Sequence, residues 1–413
     1  MPPRPISQRV NERNVMLIQQ GARRNYIYAR QLEAAGMLHS LVTDAAWADG
    51  EVGFPIQLAA RFSARLRGAI ARRTVETIPR SRLRTSFLPN AAILSMSLMP
   101  PERAWAFLDE VLAWPNRLRG LDSASVVVNY HGNGGSFLTY AKRRGARIVT
   151  DFVITPKYLT IEREERARWP GWEIDSTSEA VIDFYRGRMS RLVALSDIYL
   201  CPSTAVASDL AELAGFEASR VRVLPYGASG VLPRIPRPRT GRVLFAGAAG
   251  LRKGIPYLAE AARILKRRRA DVEIVVAGSA SPAVRARPET RDLTFLGPLD
   301  RDRMADEFAC ADVFCLPSLA EGSATSVFEA LAYGVPVVTT RSSGSVVRDG
   351  VEGHIVDERN ADAIAERIER IVADREMRRG MSAAAFAASD RYSDEVCGRE
   401  FIAILRELEK PAD

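Results

Sequence analysis

VFCLPSLAEGSATSVFEALAYGVPVVTT, residues 313–340, contains an apolar run, a glycine-bearing loop, a helical stretch and a second apolar run. The two runs are continuous in hydrophobicity rather than alternating, as in strands buried on both faces of a parallel sheet. The helical stretch between them is the crossover that two parallel strands require. Outward from it the same alternation recurs at VLFA (243–246), VEIVVAG (272–278) and LTFLG (293–297). It recurs less cleanly in the first half, with candidate strands at Val15–Gln19, Ser125–Tyr130, Arg147–Phe152, Ile198–Pro202 and Val221–Pro225. The pattern predicts an α/β protein of two Rossmann-like, doubly wound parallel-sheet domains. Between them GASGVLPRIPRPRTG (227–241) carries Pro233, Pro236 and Pro238, so it is too stiff and too poor in N–H donors for a helix or central strand. The expected division is a first domain over 1–226, this linker, a second domain over 242–391, and a last helix within 392–413 that packs back on the first.

A chain of 413 residues, 47% hydrophobic and 26% charged, has the length of two or three globular domains and is neither disordered nor fibrous in composition. The uncharged runs 85–101 and 123–141 are broken by prolines, or by glycines, asparagines and His131, so neither reads as a membrane span. No apolar stretch precedes Val15, which predicts no secretory signal and a cytoplasmic protein. Cys201, Cys310, Cys315 and Cys397 form no C-x-x-C pair and read as free thiols, with neither a zinc site nor a disulfide frame. The net charge of +8 is uneven: residues 1–150 hold 21 Lys/Arg against 10 Asp/Glu, the remainder 37 against 40. The first third therefore suits an anionic partner such as a phosphorylated acceptor, lipid headgroups or nucleic acid.

Ligands of open parallel sheets sit beyond the carboxyl ends of the strands. After 243–246 comes GAAGLRKG (247–254), where glycines let the backbone approach a phosphate and Arg252 and Lys253 can neutralise it. The loop lacks the spacing of a P-loop or dinucleotide fingerprint, so an ordinary turn with solvated charges is an equal reading. After 313–316, Glu321 lies in the loop and Glu329 in the helix, eight residues on. A glutamate among VF and ALA is costly to bury without a partner, and ribose hydroxyls are one such partner. Glu321 with the free N–H groups of the first turn, Ala324–Ser326, can face one ligand; a plain interaction with the helix dipole is the bland alternative.

RKGIPYLAEA, VVAG, FLGPL and PSLAEGSATSVFEALAYGVPVVTT together resemble the retaining glycosyltransferases of family four, which have the GT-B fold of two such domains facing across a cleft. The likeness is specific from Pro225-Tyr226-Gly227 to Asp357 and looser in GARRNYIYARQLEAAGML. It implies a nucleotide-sugar donor on the second domain, with Lys253 on the diphosphate, Glu329 on the ribose, Glu321 on the donor sugar and Ser323, Ala324, Thr325 and Ser326 cradling sugar and diphosphate. It also implies that His131, opening HGNGG after a strand, reaches the donor sugar; a histidine bracing a glycine-rich turn is the alternative. Where the family often has an arginine after the glycine at 247, Ala248 stands, and Arg252 is the expected substitute. The family's usual chemistry is same-face attack assisted by the leaving phosphate, without a metal ion and without a cofactor.

Asp300-Arg301-Asp302 matches the metal-binding D-x-D of another fold, but it precedes a helix and reads as a cap. Gly21-Ala22-Arg23-Arg24 follows the first strand and precedes a helix, so an acceptor or donor phosphate can dock on its N–H groups and guanidinium forks. The stretch Arg61 to Arg84 holds eight arginines and, as a helix, would set Arg61, Arg65 and Arg72 on one face and Phe62, Leu66 and Ile70 on another, which suits either an anionic membrane surface or packing on its own domain. Nucleic acid is disfavoured, since no stacking aromatics interleave the basic stretches. The expectation that follows from the resemblance is a glycosyltransferase moving a sugar from a nucleotide diphosphate donor to a carbohydrate, lipid-linked or other hydroxyl acceptor. Its rivals are a phosphorylase or epimerase of the same fold, and a non-catalytic nucleotide-sugar binder.

Overall fold

Seven parallel strands form the first sheet: β1 (Val15–Ile18), β2 (Leu38–Thr43), β5 (Leu83–Thr85), β6 (Val126–Tyr130), β7 (Arg147–Asp151), β8 (Ile198–Cys201) and β9 (Val221–Val223), in the order β5-β2-β1-β6-β7-β8-β9. Two short strands, β3 (Trp47–Ala48) and β4 (Thr74–Val75), pair beside it. Six parallel strands form the second sheet: β10 (Arg242–Ala246), β11 (Glu273–Ala277), β12 (Leu293–Gly297), β13 (Val313–Leu316), β14 (Val337–Thr340) and β15 (Gly353–Val356), in the order β12-β11-β10-β13-β14-β15. This computed structural model describes residues 14–408 except 45, 49–62, 64–67, 69, 71, 72, 76, 87–98, 132, 175, 176 and 229. Of the basic stretch 61–84, Arg61, Phe62, Arg65, Leu66 and Arg72 lie outside the described residues.

Central strands such as VVVNY and RVLFA are buried along their whole length because helices cover both faces of each sheet. Strands β2, β5 and β15 are additions to the sequence reading. In β2, His39 and Ser40 interrupt the apolar run, and β15 opens on Gly353, whose added Cβ would lie 1.9 Å from the Val337 carbonyl oxygen. Strand β5 is three residues long and edges the sheet. The segment 231–239 between the sheets has neither helix nor strand. Asp300 caps the helix Arg301–Cys310 by accepting from the Arg303 amide at 2.9 Å.

Each half of the chain lends a segment to the other. Phe401 and Leu405, in the helix Asp394–Glu407, are fully buried in the core of the first sheet beside Tyr28. Trp172, just after the helix Tyr158–Arg168, is 1% exposed in the core of the second. The same arm makes polar ties: Glu165, with no exposed surface, contacts Arg359 Nε at 2.6 Å and accepts from Tyr257 Oη at 2.6 Å, and Glu173 accepts from the Leu251 amide at 2.7 Å.

Candidate functional site

In each sheet the order of the strands reverses about one strand, β1 in the first and β10 in the second. At such a point the loops leaving neighbouring strands diverge and open a crevice at their carboxyl ends. The two crevices face each other, making a cleft of about 510 Å³ within the size range of small-molecule sites. One wall carries Gly247, Lys253, Met304, Glu321–Ser326 and Glu329; the other carries Arg23, Arg24, Tyr130, Val153 and Tyr226. The walls meet at Gly322, where an added Cβ would lie 2.0 Å from the Val153 carbonyl oxygen. A side chain there would force the walls apart.

The loop after β10 closes in a short turn, Leu251–Lys253, and Gly254 follows at φ +72° with an added Cβ only 2.0 Å from the Pro317 oxygen. That close approach sets Lys253 beside the loop after β13. Its Nζ lies 2.6 Å from Glu321 Oε1, and Arg252 Nη1 lies 2.7 Å from the same oxygen, both as ion-pair contacts rather than aligned hydrogen bonds. Arg252 also donates to the Ala320 carbonyl at 2.6 Å and its Nε approaches Glu162 of the opposite domain at 3.6 Å. Arg252 therefore sits behind Glu321 and is not among the lining residues, and Gly21 and His131 are not among them either.

The helix Thr325–Ala332 opens on the cleft with Ala324 at its N-cap and no side-chain cap. The first-turn amides of Thr325 and Ser326 have no intrahelical acceptor, so this end favours an anion. Ser323 is held in place by accepting from the Tyr226 amide at 3.4 Å. Glu329 lines the cleft one turn further on, and burial pushes its carboxyl up to about 7, with Arg301 opposing. A group with its pKa raised in the fold binds protons more tightly there than when unfolded, so its contribution to stability fades as pH rises from about 4.5 through 7. Ionised, the same carboxylate accepts hydroxyl hydrogen bonds better. Nucleotide affinity is expected to climb several-fold between pH 6 and 8, and Glu329→Gln to flatten that part of the rise left after the nucleotide's own titration is subtracted; calorimetry across the range checks it.

His131 directly follows the lining residue Tyr130 at the end of β6. Its amide donates to the Asp151 carbonyl at 2.8 Å, its Nε2 is 3.4 Å from Tyr185 Oη, and its ring lies edge-on to Tyr185. Burial, with the Arg188 and Arg23 charges, lowers it to about 3, so the imidazole is neutral at physiological pH. Gly21 donates its amide to Asp44 at 2.8 Å. Beneath the first domain's wall, Tyr226 Oη donates to Asp151 at 3.0 Å, and burial pushes the Asp151 carboxyl up to about 7. Tyr130, Tyr226 and Met304 were not picked out from sequence; Pro225-Tyr226-Gly227 was a signal for the second, while the last of a strand (Tyr130) and a helical methionine give none. Among the described residues no group of three or more His, Cys, Asp or Glu is placed to hold a metal ion, and no helix is long and apolar enough to cross a membrane.

Residues 240–374 match the family described as glycosyl transferases group 1. A D-inositol 3-phosphate glycosyltransferase of Xylanimonas cellulosilytica is 32% identical over 231 residues, covering 49% of this chain and 55% of that protein. A phosphatidyl-myo-inositol mannosyltransferase of Mycolicibacterium smegmatis is 28% identical over 279 residues, covering 65% of this chain and 67% of that protein. The chain spans about half the length of the first of these relatives. The crystal structure of Anabaena HepE in complex with UDP and glucose superposes with a TM-score of 0.58 at 15% identity, covering 96% of this chain and 100% of that one. The two parallel-sheet domains are thus in the GT-B arrangement.

Proposed function

We propose that this chain, whose residues 240–374 match the group 1 glycosyltransferases, transfers a sugar from a nucleotide diphosphate donor to an acceptor hydroxyl with retention of the anomeric configuration. The observation that carries the reading is one cleft holding an unpartnered helix N-terminus, Lys253, Glu321 and Glu329 at the facing switch points of two sheets. The relatives' names, which concern inositol phosphate and phosphatidylinositol acceptors, support a polyhydroxylated acceptor.

In this reading the amides of Thr325 and Ser326 and the Lys253 ammonium take the diphosphate, and Glu329 takes the ribose hydroxyls. Glu321 is held on one oxygen by Lys253 and Arg252, which leaves Oε2 for the sugar hydroxyls. The bond from the anomeric carbon to the diphosphate oxygen breaks while the acceptor oxygen bonds to that carbon from the same face. The acceptor's proton passes to the departing diphosphate, so no protein carboxylate becomes covalently attached. Lys253 and the helix end stabilise the charge growing on that diphosphate, and the closely apposed walls at Gly322 and Val153 keep water out. Arg252, whose guanidinium meets Glu321 and the Ala320 carbonyl and approaches Glu162, acts on the donor in this reading through Glu321. Peripheral attachment to an anionic membrane belongs to the same proposal and would bring the enzyme to a lipid-linked acceptor.

A thermal-shift screen against UDP, GDP and ADP sugars, followed by product analysis with the stabilising donor, tests this. The expected result is a melting-temperature rise with one base and slow release of free sugar, both lost in Glu329→Ala; release only when inorganic phosphate is added would refute transfer in favour of phosphorolysis.

A further inference from the structure

Among the described residues, Lys253 is the one lysine or arginine on the second domain's wall of the cleft, and Glu321 already neutralises it at 2.6 Å. A doubly charged diphosphate, or any phosphate beside it, needs more positive charge than that wall supplies. The opposite wall has it. Arg23 is exposed at the cleft with no hydrogen bond or ion pair to its guanidinium among the described residues, and its field is felt at Tyr130, His131 and Asp151. Arg24 is only 10% exposed, with its guanidinium 4.6 Å over the Tyr226 ring and 5.5 Å over the Tyr28 ring. Its Nη2 donates to the Tyr226 carbonyl and stands 3.5 Å from Asp394, yet its buried Nη1 has no partner. The Tyr130 hydroxyl, on a side chain 2% exposed, is likewise buried and unpartnered.

Buried donors without acceptors are costly, and guanidinium donors most of all, so an unpartnered pair of them lining a cavity implies oxyanion oxygens as the missing acceptors. The backbone is strained at the same place, since Arg24, Asn25 and Tyr26 run left-handed at φ 46°, 50° and 56°, a conformation that L-residues adopt at a cost.

We propose that Arg23, Arg24 and Tyr130 form a phosphate subsite on the first domain's wall, facing Lys253 across the cleft. The assignment rests on reading the cleft as a nucleotide-sugar site. The phosphate comes either from the donor's diphosphate, gripped from both walls, or from an acceptor that carries its own.

The test uses the full chain as wild type, Arg23→Gln and Tyr130→Phe, with Arg24 left intact because it also ties the first domain to Asp394. Calorimetry measures the nucleoside diphosphate that binds best among UDP, GDP and ADP, then inorganic phosphate alone and with that nucleotide saturating. Arg23→Gln is expected to weaken one of these by roughly 10- to 100-fold and Tyr130→Phe by several-fold. Loss of nucleotide affinity assigns the subsite to the donor; intact nucleotide affinity with loss of phosphate binding to the nucleotide-saturated protein assigns it to the acceptor. Wild-type affinities for both ligands in both variants, or no phosphate or nucleotide binding that depends on Arg23, would overturn the subsite. If phosphate binds through Arg23 while no nucleotide binds the wild type, the subsite stands and the sugar-nucleotide reading falls.

Discussion

Lys253→Ala is expected to lower turnover by about two to three orders of magnitude, the usual loss when one preorganised electrostatic donor at a developing oxyanion is removed. The fold should survive it. Lys253 is 15% exposed, and Glu321 keeps Arg252 at 2.7 Å, so the substitution strands no buried carboxylate. Freed from the lysine, Glu321 is held by Arg252 alone, and nucleoside diphosphate binding should weaken along with catalysis. Steady-state rates with the cognate donor, set beside melting temperatures, separate the two effects. A variant within threefold of wild-type turnover would exclude Lys253 from the diphosphate.

Glu165→Ala should destabilise the chain by about 1–3 kcal/mol, because it removes a buried acceptor from the Tyr257 hydroxyl and from Arg359, which is 30% exposed and keeps Glu164 at 3.4 Å. Glu165 has no exposed surface, and its two oxygens meet Arg359 Nε and Tyr257 Oη at 2.6 Å each. These three residues come from both halves of the chain, so the loss appears as a melting temperature lower by roughly 2–6 °C. Glu165→Gln keeps the tyrosine hydrogen bond and gives up only the charge, and should fall between the two. Equal melting temperatures for alanine variant and wild type would show that the arm is not anchored there.

The second sheet was legible, its edge strand β15 (GHIV) apart, because its strands are uninterrupted apolar runs bounded by glycine and proline. VLFA, LTFLG and VFCL fall on strands within a residue of where hydrophobicity places them. The first sheet was legible from β1 across to its edge strand β9 but not on its other side: LHSLVT hides a strand behind a histidine and a serine, and LRT is too short for any period. In the site, Lys253, Glu321, Ser323–Ser326 and Glu329 stand together because two adjacent strands deliver their loops to one edge. Arg252, one residue from Lys253, meets the same Glu321 oxygen but does not line the cleft, being drawn also to the Ala320 carbonyl and towards Glu162, which sequence spacing alone does not disclose. Glu165 was illegible for another reason. In YLTIEREERAR it looks like every other charge on a solvated helix, and only the docking of that helix on Tyr257 and Arg359 buries it.

The exchange of Trp172 for Phe401 and Leu405 between the two halves bears on how the polypeptide matures. As synthesis proceeds from the amino end, the first lobe waits for residues near 400 before its sheet is fully covered, and an indole from the first lobe waits for a sheet not yet made. Neither lobe is then a self-sufficient folding unit. A gene split at 227–241 would yield two fragments that each expose a greasy socket, and the partners should be recovered together or not at all.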